Sequence, residues 1–204
     1  MLGQLGDVRT VVDVGANRGQ FALAARRCFP RAQMISFEPL PRPAAVYRAV
    51  FGADERATLF EQAIGPRPGE TVIHVSARDD SSSLLPIGAA QEALFHGTGE
   101  IGTERISAVR LADRLAPHSI TPPALLKLDV QGFELQALEG CEDLLDRFAW
   151  IYAECSFVEL YEGQALAHTV IAWLRERGLT LRGVYNTAYD RHGKAIQADF
   201  LFGR

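Results

Sequence analysis

The chain has 204 residues, 48% of them hydrophobic and 9% aromatic, which excludes a disordered segment and suffices to bury a core without disulfides or a structural metal. That size fits one domain over residues 1–204. A formal net charge of −4 gives no basic footprint for nucleic acid, and no run approaches the roughly 18 apolar residues of a membrane span, so neither partner is expected.

The N-terminus, MLGQLGDVR, is too polar and short for a signal peptide, and little chain precedes the first strand to cover a substrate. Thr10–Val14 reads as a buried strand ending in a glycine turn. Apolar residues at helical spacing follow from Gly19 to Phe29, and Pro30 stops them. Gln33–Phe37 is a second strand and Ala44–Phe51 a short helix. Ala57–Ile64 reads as a third strand closed by Gly65-Pro66, and Gly69–Val75 as an exposed one. Residues 76–104 are irregular, and a connection that long is usually functional. Ile106–Leu111 suggests an edge strand, with a helical turn at Ala112–Leu115. Leu125–Val130 is a strand, Glu134–Leu145 a helix and Trp150–Cys155 another strand. Ala165–Arg177 is an amphipathic helix capped by Gly178. Leu179–Tyr185 and Ala198–Phe202 form an antiparallel hairpin around Tyr189, Asp190, His192 and Gly193. The fold class is therefore α/β: a doubly wound, mostly parallel sheet with helices on both faces and an antiparallel C-terminal hairpin strand. Cys28, Cys141 and Cys155 are odd in number and widely spaced, which suits small apolar fillers in a reducing, cytoplasmic setting.

Ligands of such sheets bind beyond the carboxyl ends of the strands. The first strand end reads Asp13-Val14-Gly15-Ala16-Asn17-Arg18-Gly19, where Gly15 and Gly19 permit a sharp turn and a close ligand approach. Glu38 ends the second strand, roughly twenty residues after Gly15, the spacing at which a carboxylate accepts ribose hydroxyls. Asn17 stands where a dinucleotide loop needs its middle glycine, so a ribose ligand without phosphates fits better. S-adenosylmethionine is such a ligand. Its ammonium suits Asp13 and its carboxylate suits backbone N–H groups.

VVDVGANRGQFALAARRCFP, ISFEPLP, EQAIGPRPGE, SSSL, LLKLDVQGFELQALEG and WIYAEC, in that order, resemble successive motifs of FkbM-type methyltransferases. KLDVQGFE is the most specific of them. The resemblance runs from about Thr10 to the C-terminus and implies an S-adenosylmethionine-dependent O-methyltransferase with a seven-stranded Rossmann-like sheet. It implies cofactor contacts at Asp13, Gly15, Ala16, Asn17 and Gly19, a ribose clamp at Glu38 and adenine packing at Pro39, Ala63 and Ile64. The acceptor it implies is a small molecule, sugar or glycan. Where family members often carry Glu, this chain has Gln131. One carboxylate beside a neutral amide makes a poor magnesium cage, so no metal is expected.

A base must take the acceptor's proton; the candidates, in order, are Asp129, Glu154 and His96. Ser81, Ser82 and Ser83 are candidate substrate contacts. Lys127, inside a strand, needs an acidic partner, and Glu134 suits a cap on its helix. His74, His118 and His168 show no metal-ligand spacing. Three arrangements remain open for the acceptor cleft: open to solvent, covered by residues 76–104, or completed by a second copy in a homodimer. A catalytically silent cofactor-binding scaffold and an NAD-dependent oxidoreductase, whose ribose Glu38 would serve equally, are the alternative functions.

Overall fold

The computed structural model describes residues 1–204. Strand β1 (Thr10–Val14) is buried along its whole length, as a β-branched run with no polar alternation requires. It leads through the glycine turn into α1 (Gln20–Cys28), β2 (Gln33–Phe37) and α2 (Pro41–Phe51), whose two prolines sit in the first turn, where a missing N–H costs nothing. β3 (Ala57–Phe60) and β4 (Ala63–Ile64) follow, then β5 (Gly69–Ser76), α3 (Ala89–Leu94), β6 (Glu100–Val109), β7 (Ala124–Leu128) and α4 (Glu134–Cys141). The chain ends with β8 (Phe148–Ser156), α5 (Ala167–Glu176) and the pair β9 (Thr180–Tyr189) and β10 (Ala195–Gly203).

Seven strands form the main sheet in the order β3-β2-β1-β7-β8-β10-β9. The first five are mutually parallel, and β10 runs antiparallel to both β8 and β9. Alternate residues of β1 feed opposite faces: Val12 and Val14 join α4 and α5, while Val11 joins Ala25 and Phe29 at α1. Helices therefore cover both faces, as expected. Strand order reverses between β2 and β7, so the crevice of this sheet opens where β1 and β7 end. No helix is long and apolar enough to cross a membrane.

Five expectations need correction. The third strand is two strands, because the chain leaves the main sheet after Phe60 and Ala63–Ile64 pairs instead with β6. The 106–111 edge strand is the central strand of a second sheet, β4-β6-β5, and starts already at Glu100. The irregular 76–104 stretch holds α3 and the start of β6, and a β-bridge between His74 and Ser83 pins it back on β5. The helix at 134–145 ends at Cys141 and tightens into a 3₁₀ turn over Glu142–Arg147. The cysteines are free; Cys141 and Cys155 fill the core, but Cys28 is exposed at the end of α1 and so is no filler.

Candidate active site

A cavity of about 800 Å³ opens at the ends of β1, β2 and β7, a size suited to a small molecule. The turn after β1 forms its floor. Gly15 and Ala16 N–H both donate to Phe37 O, each at 3.0 Å, and Asp129 N–H donates to Val14 O at 3.1 Å. The end of β7 thereby presses on Gly15. A Cβ there would collide with the Asp129 carbonyl, and φ is +76°. Packing between strand ends, not only ligand access, demands this glycine. Gly19 has the same kind of reason: its φ is +89° and a Cβ would lie 2.9 Å from the Phe51 ring. It does not line the cavity, whereas Gly15, Ala16 and Asn17 do.

Glu38 hangs from the end of β2, 5% exposed. Its Oε2 accepts Asn17 N–H at 2.8 Å and its Oε1 accepts Leu40 N–H at 2.8 Å. Each oxygen retains a second lone-pair direction, so two ligand hydroxyls can still donate to it. Burial pushes this carboxyl up to about 7, against the pull of those two N–H groups. Pro39, Ala63 and Ile64 line the same wing, joined by Leu40, Ile73 and Phe133.

Asp13 does not reach the cavity. It is 1% exposed, and its nearest charge is Lys127 Nζ, 3.1 Å from Oδ1. The same ammonium donates to Gly15 O at 2.8 Å and lies 3.6 Å from Asp129 Oδ2. Burial opposes its charge, but the carboxylates of Asp13 and Asp129 outweigh burial and hold its pKa above the ordinary lysine value. Lys127 thus has its acid partner, and Asp13 serves the glycine turn through Lys127 instead of meeting a ligand ammonium.

The other wing carries the acids. Asp129 lines the cavity just past β7. Gln131, held at φ +55°, donates from Nε2 to Asp129 Oδ1 at 2.6 Å and to Glu154 Oε2 at 2.9 Å. Tyr161 O–H donates to Gln131 Oε1 at 2.8 Å, which fixes the amide's orientation. Glu154 stands behind this bridge, off the cavity wall, with Gln197 Nε2 donating to its Oε1 at 3.0 Å. Burial, then the charges of Asp129 and Glu134, raise its carboxyl well above the ordinary glutamate range. Glu134, 3% exposed, accepts the N–H groups of Val130 and Gly132 on Oε1 and so ties the turn that presents Gln131, as a capping role requires.

His96 is exposed after α3 and does not line the cavity; the 76–104 stretch bends toward the cleft only through residues 79–84. Of the three serines, Ser82 and Ser83 line it and Ser81 does not. Ser83 is already committed, donating to Gln131 O at 2.6 Å. Arg18 Nη2 clasps Asp79 at 2.6 Å, joining the glycine turn to this segment. Sequence reasoning missed Asp79 and Asp80, which sit beside the serines, and Tyr152, Tyr185, Asn186 and Asp199 from the last three strands. Nothing in the local sequence of those strands marks them, because only the antiparallel return of β10 brings them to the cleft.

The profile of the Methyltransferase FkbM domain family matches residues 13–180. The 2-O-methyltransferase NoeI of Sinorhizobium fredii is 32% identical over 160 residues, 76% of this chain and 66% of that protein. The 31-O-demethyl-FK506 methyltransferase FkbM of Streptomyces tacrolimicus is 30% identical over 205 residues, 86% of this chain and 74% of that one. The chain thus spans about two thirds to three quarters of the length of these relatives. Among solved structures, a precorrin-6y C5,15-methyltransferase from Geobacter metallireducens shares the fold with a TM-score of 0.54 at 12% identity, covering 100% of this chain and 83% of that one. Belonging thus to the FkbM methyltransferase family, the chain is an S-adenosylmethionine-dependent methyltransferase.

Proposed function

We propose that residues 1–204 work as one Rossmann-like unit that transfers a methyl group to a hydroxyl of a small-molecule or carbohydrate acceptor. The observation that carries this reading is a single cavity with a ribose-type carboxylate, Glu38, on one wing and a carboxylate positioned for proton transfer, Asp129, on the other. The O-methyl chemistry named for the NoeI and FkbM relatives supports the same choice. The residues present fit the cofactor: Glu38 has free lone pairs for hydroxyls, the Gly15–Asn17 turn offers bare backbone, and Pro39, Ala63 and Ile64 offer a flat apolar wall for a base.

When bound, S-adenosylmethionine supplies an electrophilic methyl group. Asp129 accepts the acceptor's hydroxyl proton on a carboxylate whose Oδ1 is fixed by Gln131. Gln131 is a positioning residue whose Nε2 bridges Asp129 and Glu154 by donating to both, so the two carboxylates do not face each other directly. Glu154 ranks below Asp129 as base because both its oxygens accept amide N–H groups and it sits off the wall. Lys127 steadies the floor carbonyl of Gly15 and the field at Asp129. Orientation and exclusion of water supply most of the remaining acceleration. Three free thiols support a reducing, cytoplasmic site of action.

Calorimetric titration with S-adenosylhomocysteine, followed by a methyl-transfer screen against hydroxylated acceptors, tests the reading. Binding with transfer to oxygen is the expected result. Transfer only to nitrogen or carbon acceptors would overturn the O-methyl assignment.

A further inference from the structure

The wing of the cavity beyond Asp129 is lined by residues of three strands, Tyr152 of β8, Tyr185 and Asn186 of β9 and Asp199 of β10. β10 lies between β8 and β9, and places Asp199 opposite Glu154 on one side and Tyr185 on the other. Two steps along β10, from Gln197 to Asp199, match three along β9, from Ala188 to Tyr185. That extra residue is a β-bulge, and Asn186 within it has φ +50°. In a regular strand Tyr185 and Asn186 would point to opposite faces. The bulge turns both into the same cavity.

There they meet Asp199. Its Oδ2 accepts Tyr152 O–H at 2.9 Å and Asn186 Nδ2–H at 2.6 Å, while no protein donor serves Oδ1. Tyr152 keeps its proton, since burial and then the Asp199 charge push its phenol far up. The carboxylate is thus held from one side by two strands, with its second oxygen left for something in the cavity. Tyr152 stacks on Phe21 of α1 at 5.9 Å between centroids and tilts against Tyr185 at 6.5 Å, giving an aromatic wall beside that oxygen. The acids lining the cavity differ in how they are paired. Asp79 is held by Arg18, Asp80 by Arg78, and Asp129 shares Lys127 with Asp13, whereas Asp199 makes no ion pair.

We infer that Asp199, locked by Tyr152 and the bulged Asn186, anchors the methyl acceptor through a second hydrogen-bond donor, and that the acceptor is neutral or cationic, not anionic. An ionised carboxylate only accepts, so the anchored group must carry O–H or N–H. An acceptor group bearing a carboxylate or phosphate at this anchor would meet the Asp199 carboxylate, whose charge no ion pair offsets, at close range in a partly desolvated cleft. This inference rests on the methyltransferase reading above and names the acceptor chemistry of that same site.

The test uses the full chain saturated with S-adenosylhomocysteine and three probes of like shape: methyl β-D-glucopyranoside, D-glucosamine and D-glucuronate. Binding is read by ligand-observed NMR at millimolar probe concentrations. The neutral and cationic sugars are expected to bind and glucuronate to bind about tenfold or more weakly. Asp199→Ala is expected to weaken the neutral sugar by about tenfold or more, with S-adenosylhomocysteine affinity unchanged. Asp199→Asn, nearly isosteric, guards against a folding defect in the alanine variant and is expected to weaken the same probe. Asn186→Gly relieves the backbone yet removes the clasp, and its expected loss on the same probe exceeds any change in stability. Glucuronate binding as well as the neutral sugar, no binding of the neutral sugar, or both Asp199 variants binding it unchanged would overturn the inference. Failure of S-adenosylhomocysteine itself to bind would instead overturn the proposed function.

Discussion

Glu38→Gln separates the ribose-clamp assignment from a merely structural one. In the wild type both carboxylate oxygens accept backbone N–H groups at 2.8 Å, and burial lifts the carboxyl to about 7. Ligand hydroxyls donate best to the ionised form. Cofactor affinity should therefore rise with pH through about 7 in the wild type, and fall by up to about tenfold per unit on the acid side. In Glu38→Gln the neutral amide has one oxygen, so one of the N–H groups of Asn17 and Leu40 faces an amide N–H₂ instead. Affinity for S-adenosylhomocysteine should drop by about 1.5–3 kcal/mol at neutral pH, and its dependence on pH in this range should flatten. Folding stability moves the other way. A carboxyl raised from 4.5 to about 7 favours the folded state most below the unfolded pKa, and loses that contribution as pH rises through about 7. The loss is about 3 kcal/mol. The glutamine variant escapes it, so the stability gap between the two proteins should shift toward glutamine as pH rises. Calorimetric titrations and urea unfolding across this pH range read both effects. Parallel affinity profiles for the two proteins, with no flattening in the variant, would refute the clamp.

Gly15→Ala should destabilise the fold by about 2–4 kcal/mol, since a Cβ meets the Asp129 carbonyl and the backbone is left-handed; urea unfolding within about 0.5 kcal/mol of wild type would refute this packing argument. Asp129→Asn should lower turnover by about 10²–10⁴ with S-adenosylhomocysteine affinity little changed, while Glu154→Gln should cost less; the reverse ranking in steady-state rates would move the base to β8. Lys127→Met strands the buried Asp13 carboxylate and should cost about 3–5 kcal/mol in chemical denaturation, most of it recovered when Asp13→Leu is added. A double variant no better than the single would show that the ion pair is not the source of the loss.

The local sequence determined much of the cofactor half. A β-branched run such as TVVDV that stops at a glycine reads as a buried strand, and Asp13-Val14-Gly15 followed by Glu38 marks two adjacent strand ends, so the turn and Glu38 were legible as one wall, which Pro39, Ala63 and Ile64 joined only through the family resemblance. The turn and Glu38 follow one another along two neighbouring βα units, where chain order and spatial order agree. Tertiary structure decided the rest. Ala57–Ile64 looks like one strand because no glycine or proline interrupts it before Gly65-Pro66, yet β2 and β6 each take a part of it. Asp13 and Lys127 are far apart in sequence and meet only because β1 and β7 are neighbours in register, which converts a presumed ligand contact into a buried ion pair. His96 seemed eligible because an irregular stretch is often functional, but the bridge at Ser83 and the clasp at Asp79 bring only the first part of that stretch to the cleft. Asp199, Tyr152 and Asn186 had no local mark at all. The antiparallel return of β10 sets Asp199 beside β8, which is distant in sequence, and the one-residue bulge in the β9–β10 hairpin turns Asn186 toward it.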